Sequence, residues 1–280
     1  RIKKIIVVVC IVCLILPLIM SIFLLVRMNQ MEKKMNTLLS EEVSHQDSGS
    51  GDVVEAKEKP ATGGAVQAGT GKKVYLTFDD GPSKETEKIL DILKKRQVKA
   101  TFFSIGRDDA FSKKMYQRIV KEGHTLGMHS YSHQYKEIYQ SMDAFQADYE
   151  RISNCLTAAT GIKPLYYRFP GGSTEVTEKL QMTDLDAYFN AQGASYFDWN
   201  VIAANNTTDD VSVNKMVDSV MNGVALYDTS IVLMYDSVDR KMTAKSLDSI
   251  LDYLLKNGYE ILPIDENTYV VQYIKADTVE

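Results

Sequence analysis

The sequence predicts an α/β domain built on parallel β-strands, preceded by a transmembrane helix and a flexible linker. Three observations lead to this prediction. A long apolar run lies near the N-terminus, a segment without aromatic residues follows it, and from residue 73 onwards short β-rich runs alternate with amphipathic helical patterns. Alternating strands and helices are typical of a parallel sheet, either doubly wound or closed into a barrel.

The composition places the chain among globular proteins and excludes some classes of function. Of its 280 residues, 45% are hydrophobic and 25% charged, and the formal net charge is -5. This acidic balance offers no basic surface for a polyanion, so we expect no nucleic-acid partner. Cys155 is the only cysteine outside the N-terminal apolar run, which excludes a disulfide within the folded part. We expect Cys155 to be a buried thiol on a helix.

Residues 1–27 are predicted to form a transmembrane anchor. Between Ile5 and Val26 the chain is apolar except for Pro17 and Ser21, and this run is close to the roughly 20 residues that a helix needs to cross the hydrocarbon core. A cleavable signal peptide is the alternative, but its apolar part is usually about 7–15 residues long and ends in small residues. Here the run ends in Phe23–Arg27, which favours an uncleaved anchor. Basic residues flank the run on both sides, so charge alone leaves its orientation open.

A short stalk and a linker are predicted to follow the anchor. Within residues 28–39, apolar side chains recur at the spacing of a coiled-coil seam, which predicts a helical stalk and a possible homodimer through it. Residues 40–72 are rich in Ser, Gly, Ala, Glu, Asp and Thr, which predicts a disordered linker. Every aromatic residue except Phe23 lies at or beyond Tyr75, so the folded domain is expected to span residues 73–280.

Seven β-rich runs predict the strands of this domain, with six helices between them. The runs are 74–78, 100–105, 125–128, 166–169, 195–199, 231–235 and 259–262. Residues 87–93 and 246–255 place apolar side chains at i, i+3, i+4 and i+7, as amphipathic crossover helices require. Ligands bind at the carboxyl ends of parallel strands, so the residues that follow each strand are the first candidates for a functional site.

Carboxylates and histidines follow two neighbouring strands. The first strand ends in Asp79 and Asp80, at a turn that a Gly-Pro pair enforces. The third strand is followed by His129 and His133, whose i, i+4 spacing puts both imidazoles on one face of a helical turn. One aspartate and two histidines would give a metal three ligands with positions left open for water and substrate, and the second aspartate would be free to act as a general base.

These motifs make the chain similar to the polysaccharide deacetylases, the carbohydrate esterase family with the NodB homology domain, over nearly all of residues 73–264. The resemblance implies a distorted (β/α) barrel of about seven strands that removes acetyl groups from glycans with one divalent metal. It implies that Asp79 is the general base and that Asp80, His129 and His133 bind the metal. We expect zinc, and the same donors also suit cobalt, nickel or manganese.

Two further segments match motifs of the family. In the segment that begins at Arg168, the resemblance implies that the arginine pairs with the general base. It also implies that Pro170 and Gly171 contact the substrate, with a backbone N–H near Gly171 facing the oxyanion. In the segment that contains Asp198 and Trp199, the aspartate is expected to tune a catalytic group and the tryptophan to line the acetyl pocket.

The chain departs from the family pattern at Tyr235. The fifth motif usually supplies a histidine here, as the general acid that protonates the leaving amine. A phenol, with an ordinary pKa of about 10 against about 6.5 for imidazole, gives up its proton less readily at neutral pH. Three interpretations follow: a slow or altered deacetylase, a glycan-binding pseudoenzyme, or an esterase acting on O-acetylated, xylan-like sugars. A smaller departure is Met128, where the family often has asparagine, and His124 is assigned a structural role.

We therefore predict a membrane-anchored deacetylase that acts on a glycan polymer. The anchor and the linker suit an enzyme whose catalytic domain lies outside the cell membrane and faces the cell wall, which makes peptidoglycan the expected substrate. The catalytic group is expected to consist of Asp79, Arg168, Asp198 and Tyr235. None of the residues named above distinguishes N-acetylglucosamine from N-acetylmuramic acid, chitin or xylan as the substrate.

Overall fold

The computed structural model describes residues 71–176, 179–203 and 212–274. The predicted anchor, the predicted stalk and all of the predicted linker except its last two residues lie outside the described residues, so these three assignments stay predictions. Within the described ranges, no helix is both long enough and apolar enough to cross a membrane.

Eight strands form one sheet in which all the pairings are parallel. The strands are β1 Lys73–Asp79, β2 Thr101–Ser104, β3 Thr125–Met128, β4 Tyr166–Tyr167, β5 Ser195–Tyr196, β6 Val201–Ile202, β7 Thr229–Tyr235 and β8 Glu260–Ile261. Seven of them run in the order β5-β4-β3-β2-β1-β7-β6, and β8 pairs with β1. The α/β class and the parallel sheet agree with the prediction. In the described part of the chain the strand path does not close on itself, so the expected distorted barrel is a parallel half-barrel.

The seven predicted strands correspond to all of the observed strands except β6. Val201–Ile202 is only two residues long and pairs with Val232 and Leu233 of β7. A strand of two residues carries no alternation of apolar and polar side chains, so its sequence holds no periodic signal. The predicted strands at 166–169 and 195–199 are also shorter in the structure, because only the first two residues of each belong to the sheet.

β1 is the central strand of the sheet and positions the site. One edge of β1 pairs with β7 along its full length, so that Asp79 lies opposite Tyr235. The other edge is shared, with β8 pairing at Lys73 and Val74 and β2 pairing from Thr77 to Asp79. The carboxyl ends of β1, β2 and β7 therefore meet at one end of the sheet.

Seven helices accompany these strands in the described ranges. They are α1 Lys84–Arg96, α2 Ala110–Lys121, α3 Tyr135–Ile138, α4 Met142–Thr160, α5 Met182–Gln192, α6 Val213–Ala225 and α7 Lys241–Lys256. Ser83, Asp109, Ser141 and Ser212 precede four of them, and the side chain of each accepts a backbone N–H from the first helical turn. Such N-caps satisfy donors that have no partner within the helix.

Side-chain alternation along β1 separates two apolar clusters. Val74, Leu76 and Phe78 point into the larger cluster, which contains the apolar faces of the helices. Tyr75 points the other way, into a small cluster that also contains Phe103 from β2. Both faces of the sheet are thus covered, as is usual for parallel sheets.

The chain beyond β8 fills the second face of the sheet. Ile264 belongs to the small cluster, its N–H donates to Thr101 Oγ1 at 2.8 Å, and its carbonyl accepts from Thr125 Oγ1 at 2.7 Å. Further along, the carbonyl of Val271 accepts the N–H of Asp198, close to the end of β5. This C-terminal segment, residues 262–274, therefore reaches from the amino ends of β2 and β3 to the region of the site.

The structure also shows the surroundings of His124 and Cys155, for which the sequence analysis predicts structural roles. His124 is buried at the start of β3, its Nδ1 accepts the N–H of Ala100, and its ring meets Phe102 edge-on, which agrees with a structural role. Cys155 lies within α4 as predicted, but it is partly rather than fully buried. It sits at the margin of the apolar face of the helix, where Sγ is 3.6 Å from the carbonyl of Arg107.

Candidate active site

Asp79 ends β1 in a buried position, paired with Arg168. The Arg168 side chain has no exposed surface, and its Nη1 lies 2.9 Å from Asp79 Oδ1 and 2.6 Å from Thr77 Oγ1. The remaining guanidinium donors bond the backbone carbonyls of Phe197, at 2.9 Å from Nε, and Asp198, at 3.0 Å from Nη2. Because these bonds point in different directions within one plane, they fix the guanidinium and with it the Asp79 carboxylate.

Burial decides the protonation behaviour of Asp79. Loss of solvent around the carboxylate raises its pKa, and the nearby Arg168 and His129 offset this only in part. A carboxylate with a raised pKa holds an abstracted proton better than an exposed one does. Asp79 therefore has the character of a general base that keeps its orientation.

Asp80, His129 and His133 bring three donor atoms together next to Asp79. One atom from each residue lies within 4.8 Å of the other two. Asp80 Oδ1 is 3.4 Å from His129 Nε2 and 3.3 Å from His133 Nε2. Burial by itself raises the pKa of Asp80, but the two imidazoles outweigh it and hold that pKa well below its usual range.

The tautomer of His129 is set from outside this group. Its Nδ1 donates to the carbonyl of Arg168 at 2.8 Å, so Nε2 carries the lone pair and faces the carboxylates of Asp79 and Asp80. Burial alone lowers the pKa of His129, yet these two carboxylates raise it overall. The converging oxygen and nitrogen atoms of one carboxylate and two imidazoles suit a divalent transition metal.

The backbone is strained where these donors are held. Asp80 and His133 adopt positive φ angles of 73° and 55°, and Ser130 adopts 74°. Left-handed backbone is costly for residues other than glycine, and it persists at sites where the surrounding structure demands it. The strain therefore singles out the two turns that carry the donors.

The histidines are not on a helical turn, contrary to the expectation from their spacing. Residues 129–134 form a loop, and α3 begins only at Tyr135. The loop curls back because Ser130 Oγ accepts the N–H of His133 at 2.9 Å. This curl leaves the two imidazole centroids 5.1 Å apart, so the curled loop, and not a helical turn, brings the rings together.

Asp148 on α4 holds this loop from outside. Its Oδ2 accepts the N–H of Tyr131 at 2.8 Å and its Oδ1 accepts the N–H of Ser132 at 2.9 Å. Sequence reasoning missed Asp148, because it lies in the middle of an amphipathic helix among other charged residues and carries no motif.

A pocket of about 160 Å³ opens over the donors. It is lined by Asp79, Asp80, His129, His133, Tyr135, Gly171, Trp199, Tyr235 and Arg240. Seven of these nine residues were predicted for the site. Tyr135 and Arg240 were not predicted for the site. Tyr135 follows His129 by six residues and Arg240 follows Tyr235 by five, so their nearness in the chain to predicted residues was the available signal.

Gly171 shapes one wall of the pocket. Its φ is +81°, and a Cβ there would lie 2.4 Å from Glu175 Cγ and 3.1 Å from Tyr135 Cε2. Glycine is therefore required both by backbone conformation and by space. Pro170, predicted as a substrate contact, does not line this pocket; it is buried, and its carbonyl accepts the hydroxyl of Tyr139 at 2.9 Å.

The Asp198 carboxylate also turns away from the pocket. It accepts the N–H and the hydroxyl of Ser173, at 2.8 and 2.6 Å, and the N–H of Tyr273 at 2.8 Å. Tyr273 in turn meets the ring of Trp199 edge-on. Asp198 thus ties the C-terminal segment to the loop after β4, and it reaches the general base only through the bond between its carbonyl and Arg168.

Tyr235 lies on the pocket wall opposite Asp79 in the register of β1 and β7. The Arg240 guanidinium carbon is 5.5 Å from the centre of the Tyr235 ring. The family resemblance leads us to expect an imidazole at this strand end. The structure instead has the phenol of Tyr235 there, with the guanidinium of Arg240 next to its ring.

The fold and the site together define a parallel half-barrel with a candidate metal centre beside a buried carboxylate–arginine pair. Comparison with known proteins agrees. The family model for polysaccharide deacetylase matches residues 67–189. The catalytic domain of a peptidoglycan N-acetylglucosamine deacetylase from Eubacterium rectale is 35% identical, with a TM-score of 0.67, over 76% of this chain and 97% of that one. The chain belongs to the polysaccharide deacetylase family.

Two other proteins are similar over much of the domain. A CE4 esterase from Streptococcus mutans is 30% identical, with a TM-score of 0.64, over 70% of this chain and 87% of that one. The peptidoglycan-N-acetylglucosamine deacetylase PgdA of Listeria monocytogenes is 33% identical over 71% of this chain and 40% of that protein. The chain spans 65%, 30% and 40% of the length of three curated relatives.

Proposed function

We propose that this protein is a metal-dependent deacetylase that removes N-acetyl groups from a cell-wall polysaccharide, with peptidoglycan as its substrate. The observation that carries the proposal is the buried Asp79–Arg168 pair beside the three converging donors. Membership of the polysaccharide deacetylase family supports the reaction, and the names of the Listeria and Eubacterium proteins support the substrate.

Asp80, His129 and His133 are the residues that would hold the metal. A divalent cation bound there supplies a Lewis acid for the acetyl carbonyl and lowers the pKa of a water molecule. The donor set favours zinc, with cobalt, nickel or manganese as alternatives. The His129–Arg168 carbonyl bond fixes the imidazole that faces the cation, as outer-shell contacts do in other metal sites.

Asp79 is the proposed general base. Arg168 aims its carboxylate at the pocket, and the raised pKa lets it take the proton of the attacking water. The backbone N–H of Gly171 is the proposed donor to the oxyanion that develops on the acetyl oxygen. Trp199 and Tyr135 bound the space in which the acetyl group and the sugar ring would lie.

Tyr235 is the proposed proton donor to the leaving amine. Its place in the pocket supports this role, and an ordinary phenol is a weaker acid than an imidazolium. Slow turnover is the expected consequence. Asp198 is proposed to act indirectly, by holding Arg168 through its carbonyl and the C-terminal segment through its carboxylate.

We also propose that residues 1–27 anchor the protein in the cell membrane with residues 73–280 outside. This rests on the apolar run, on the linker and on the location of a peptidoglycan substrate. A dimer through residues 28–39 is a further proposal that rests on the sequence pattern alone.

Acetate release by the purified full chain, with zinc or cobalt added, tests the reaction. The substrates are N-acetylated chitooligosaccharides and peptidoglycan fragments, and O-acetylated xylan tests the esterase alternative. We expect release from the N-acetylated glycans that falls by about 10²-fold or more in Asp79→Asn and is kept in Asp143→Asn, which removes an exposed carboxylate on α4. Bound metal without release from any substrate would contradict the proposal and favour a glycan-binding pseudoenzyme.

A further inference from the structure

A buried carboxyl group next to the pocket wall takes no part in the proposed reaction. Asp236 directly follows Tyr235 at the end of β7, and only 1% of its surface is exposed. Within the described part of the chain, its carboxylate meets hydroxyl groups rather than a lysine or an arginine. Aspartate is almost never fully buried unless it is paired with a cation, so this placement calls for a physical reason.

The backbone of Asp236 fixes the end of β1. Its N–H donates to the carbonyl of Asp79 at 2.7 Å. This bond extends the β1–β7 ladder beyond the register pair of Asp79 with Tyr235. It therefore fixes the point at which the chain leaves β1 and enters the turn formed by residues 80–83.

The side chain of Asp236 holds the other end of this turn. Its Oδ2 accepts the hydroxyl of Thr86 at 2.7 Å, and its Oδ1 lies 3.5 Å from the hydroxyl of Ser83. Ser83 is the N-cap of α1, and the Thr86 hydroxyl accepts the N–H of Ser83 at 2.6 Å. The Asp236 carboxylate thus contacts both side chains of the capping box with which α1 begins.

The turn between these two attachments has little freedom to move. Gly81 packs so closely against Asp236 that a Cβ would overlap Oδ2, and its carbonyl accepts the N–H of Ile105 at 2.8 Å. Asp80, the proposed metal donor in this turn, has a φ angle of 73°. This conformation is costly for an aspartate and persists only where surrounding contacts impose it. Asp236 supplies such contacts on both sides of Asp80.

Asp236 also connects this turn to the opposite wall of the pocket. Its neighbour Tyr235 lines the pocket together with Asp79 and Asp80. Consecutive side chains at a strand end point to opposite sides, so Tyr235 faces the pocket while the Asp236 carboxylate meets the start of α1. A shift of Asp236 would therefore move the phenol relative to the metal donors.

We propose that Asp236 is a positioning residue that holds Asp80 in its metal-binding conformation and sets the place of Tyr235 relative to it. This inference rests on the proposed function, since it concerns the geometry of the same metal centre. Asp236 does not line the pocket, so it acts only through the turn of residues 80–83 and through Tyr235.

Zinc affinity of the full chain, measured by competition with a chromophoric chelator, tests this role. We expect Asp236→Ala to bind zinc about 10–100-fold more weakly. Asp236→Asn should stay within about threefold of wild type, because its amide oxygen still accepts the Thr86 hydroxyl. Affinity of Asp236→Ala within about twofold of wild type would overturn the proposal. An equal loss in Asp236→Asn would also overturn it, because the effect would then follow from charge and not from the bond to Thr86.

A second variant tests the bond from its other end. Thr86→Val keeps the shape of the side chain but removes the hydroxyl, so it should weaken zinc binding as well. In the double variant with Asp236→Ala, the loss should be smaller than the product of the two single losses, because both changes break the same bond. A loss equal to that product would overturn the proposal. If Asp236→Ala does not fold, zinc affinity of Thr86→Val within about twofold of wild type overturns it.

Val220→Ala is the control for general destabilisation. Val220 is buried on α6 and does not line the pocket. Its truncation leaves a cavity that lowers the free energy of unfolding, yet zinc affinity should stay within about twofold of wild type. Circular dichroism confirms that each variant is folded at the temperature of the titration. A loss of zinc affinity in Val220→Ala equal to that in Asp236→Ala would overturn the proposal.

Acetate release separates this inference from the proposed function. The zinc titration needs no substrate, so it decides the role of Asp236 even if the wild-type chain releases no acetate and the proposed function fails. If acetate is released, Asp236→Ala saturated with zinc should have a lower kcat, with KM changed by less than about twofold, since Tyr235 is displaced. An unchanged kcat would overturn the part of the proposal that concerns Tyr235. A wild-type chain that binds no zinc would overturn both.

Discussion

Replacing Asp148 by alanine is expected to weaken metal binding without unfolding the domain. Asp148 contacts none of the three donor side chains, yet it accepts the N–H groups of Tyr131 and Ser132 in the loop between the two histidines. That loop has positive φ angles at Ser130 and His133, so it depends on outside contacts to keep its shape. Without Asp148, the two imidazoles should converge less well.

The expected magnitude follows from those two bonds. A hydrogen bond to a charged group contributes about 1.5–3 kcal/mol, and partial exposure of Asp148 lets water replace part of this. Changes in the groups that orient metal ligands usually cost about 10–100-fold in metal affinity, which is about 1.4–2.8 kcal/mol. We therefore expect zinc affinity to fall by about one to two orders of magnitude, with Asp148→Asn between wild type and Asp148→Ala.

Competition with a chromophoric chelator measures the zinc affinity, and circular dichroism with thermal unfolding reports the fold. Glu150→Ala is the matched control, because Glu150 is an exposed carboxylate on the same helix. Zinc affinity of Asp148→Ala within about twofold of wild type would refute the reasoning. An equal loss of affinity in Glu150→Ala would refute it as well, because the effect would then belong to helix charge and not to the loop.

Three further predictions concern pH dependence, packing and the acid. Burial lowers the pKa of His124 from 6.5 to about 4. Because the unfolded chain then binds this proton more readily than the folded domain does, His124 should contribute up to about 3 kcal/mol to the free energy of unfolding above pH 6.5. This contribution should be lost as the pH falls from 6.5 through 4. Urea unfolding at pH 7 and pH 4 should show a smaller pH dependence in His124→Gln, and an unchanged dependence would contradict this. In Gly81→Ala the new Cβ would lie 2.3 Å from Oδ2 of the buried Asp236. The free energy of unfolding should therefore fall by about 1–3 kcal/mol. An unchanged melting temperature would contradict this and show that the turn at Gly81 moves to accommodate the methyl group. Tyr235→His should restore an imidazole acid and raise acetate release by about 10²-fold; no increase would show that the acid does not limit turnover.

Much of the fold could be predicted from local pattern. Seven of the eight strands and the crossover helices were recognised because apolar residues alternate or recur over several turns, and such periodicity needs no knowledge of distant residues. β6 was missed because its two residues owe their strand conformation to pairing with β7. The path of residues 262–274 across the sheet was also beyond prediction, because it depends on contacts with Thr101, Thr125 and Asp198 far away in the chain.

The candidate site could likewise be predicted only in part: the residues were found, but their geometry was not. Asp79, Asp80, His129 and His133 could be found because they stand close together in short motifs at strand ends. The spacing of the histidines nevertheless suggested a helical turn, whereas a curled loop brings the rings together. Spacing alone does not report φ angles, so it could not distinguish these two routes to convergence.

The sequence by itself determined which chemical groups this protein offers: a pair of carboxylates, two imidazoles, an arginine and a phenol in place of an expected imidazole. Only the tertiary structure decided how they work together. It turned Asp198 toward the C-terminal segment, brought Asp148 under the histidine loop and set Arg240 against the ring of Tyr235. The physical reason is that residue types are local properties of the chain, whereas burial, pKa and convergence arise from contacts between segments far apart in sequence.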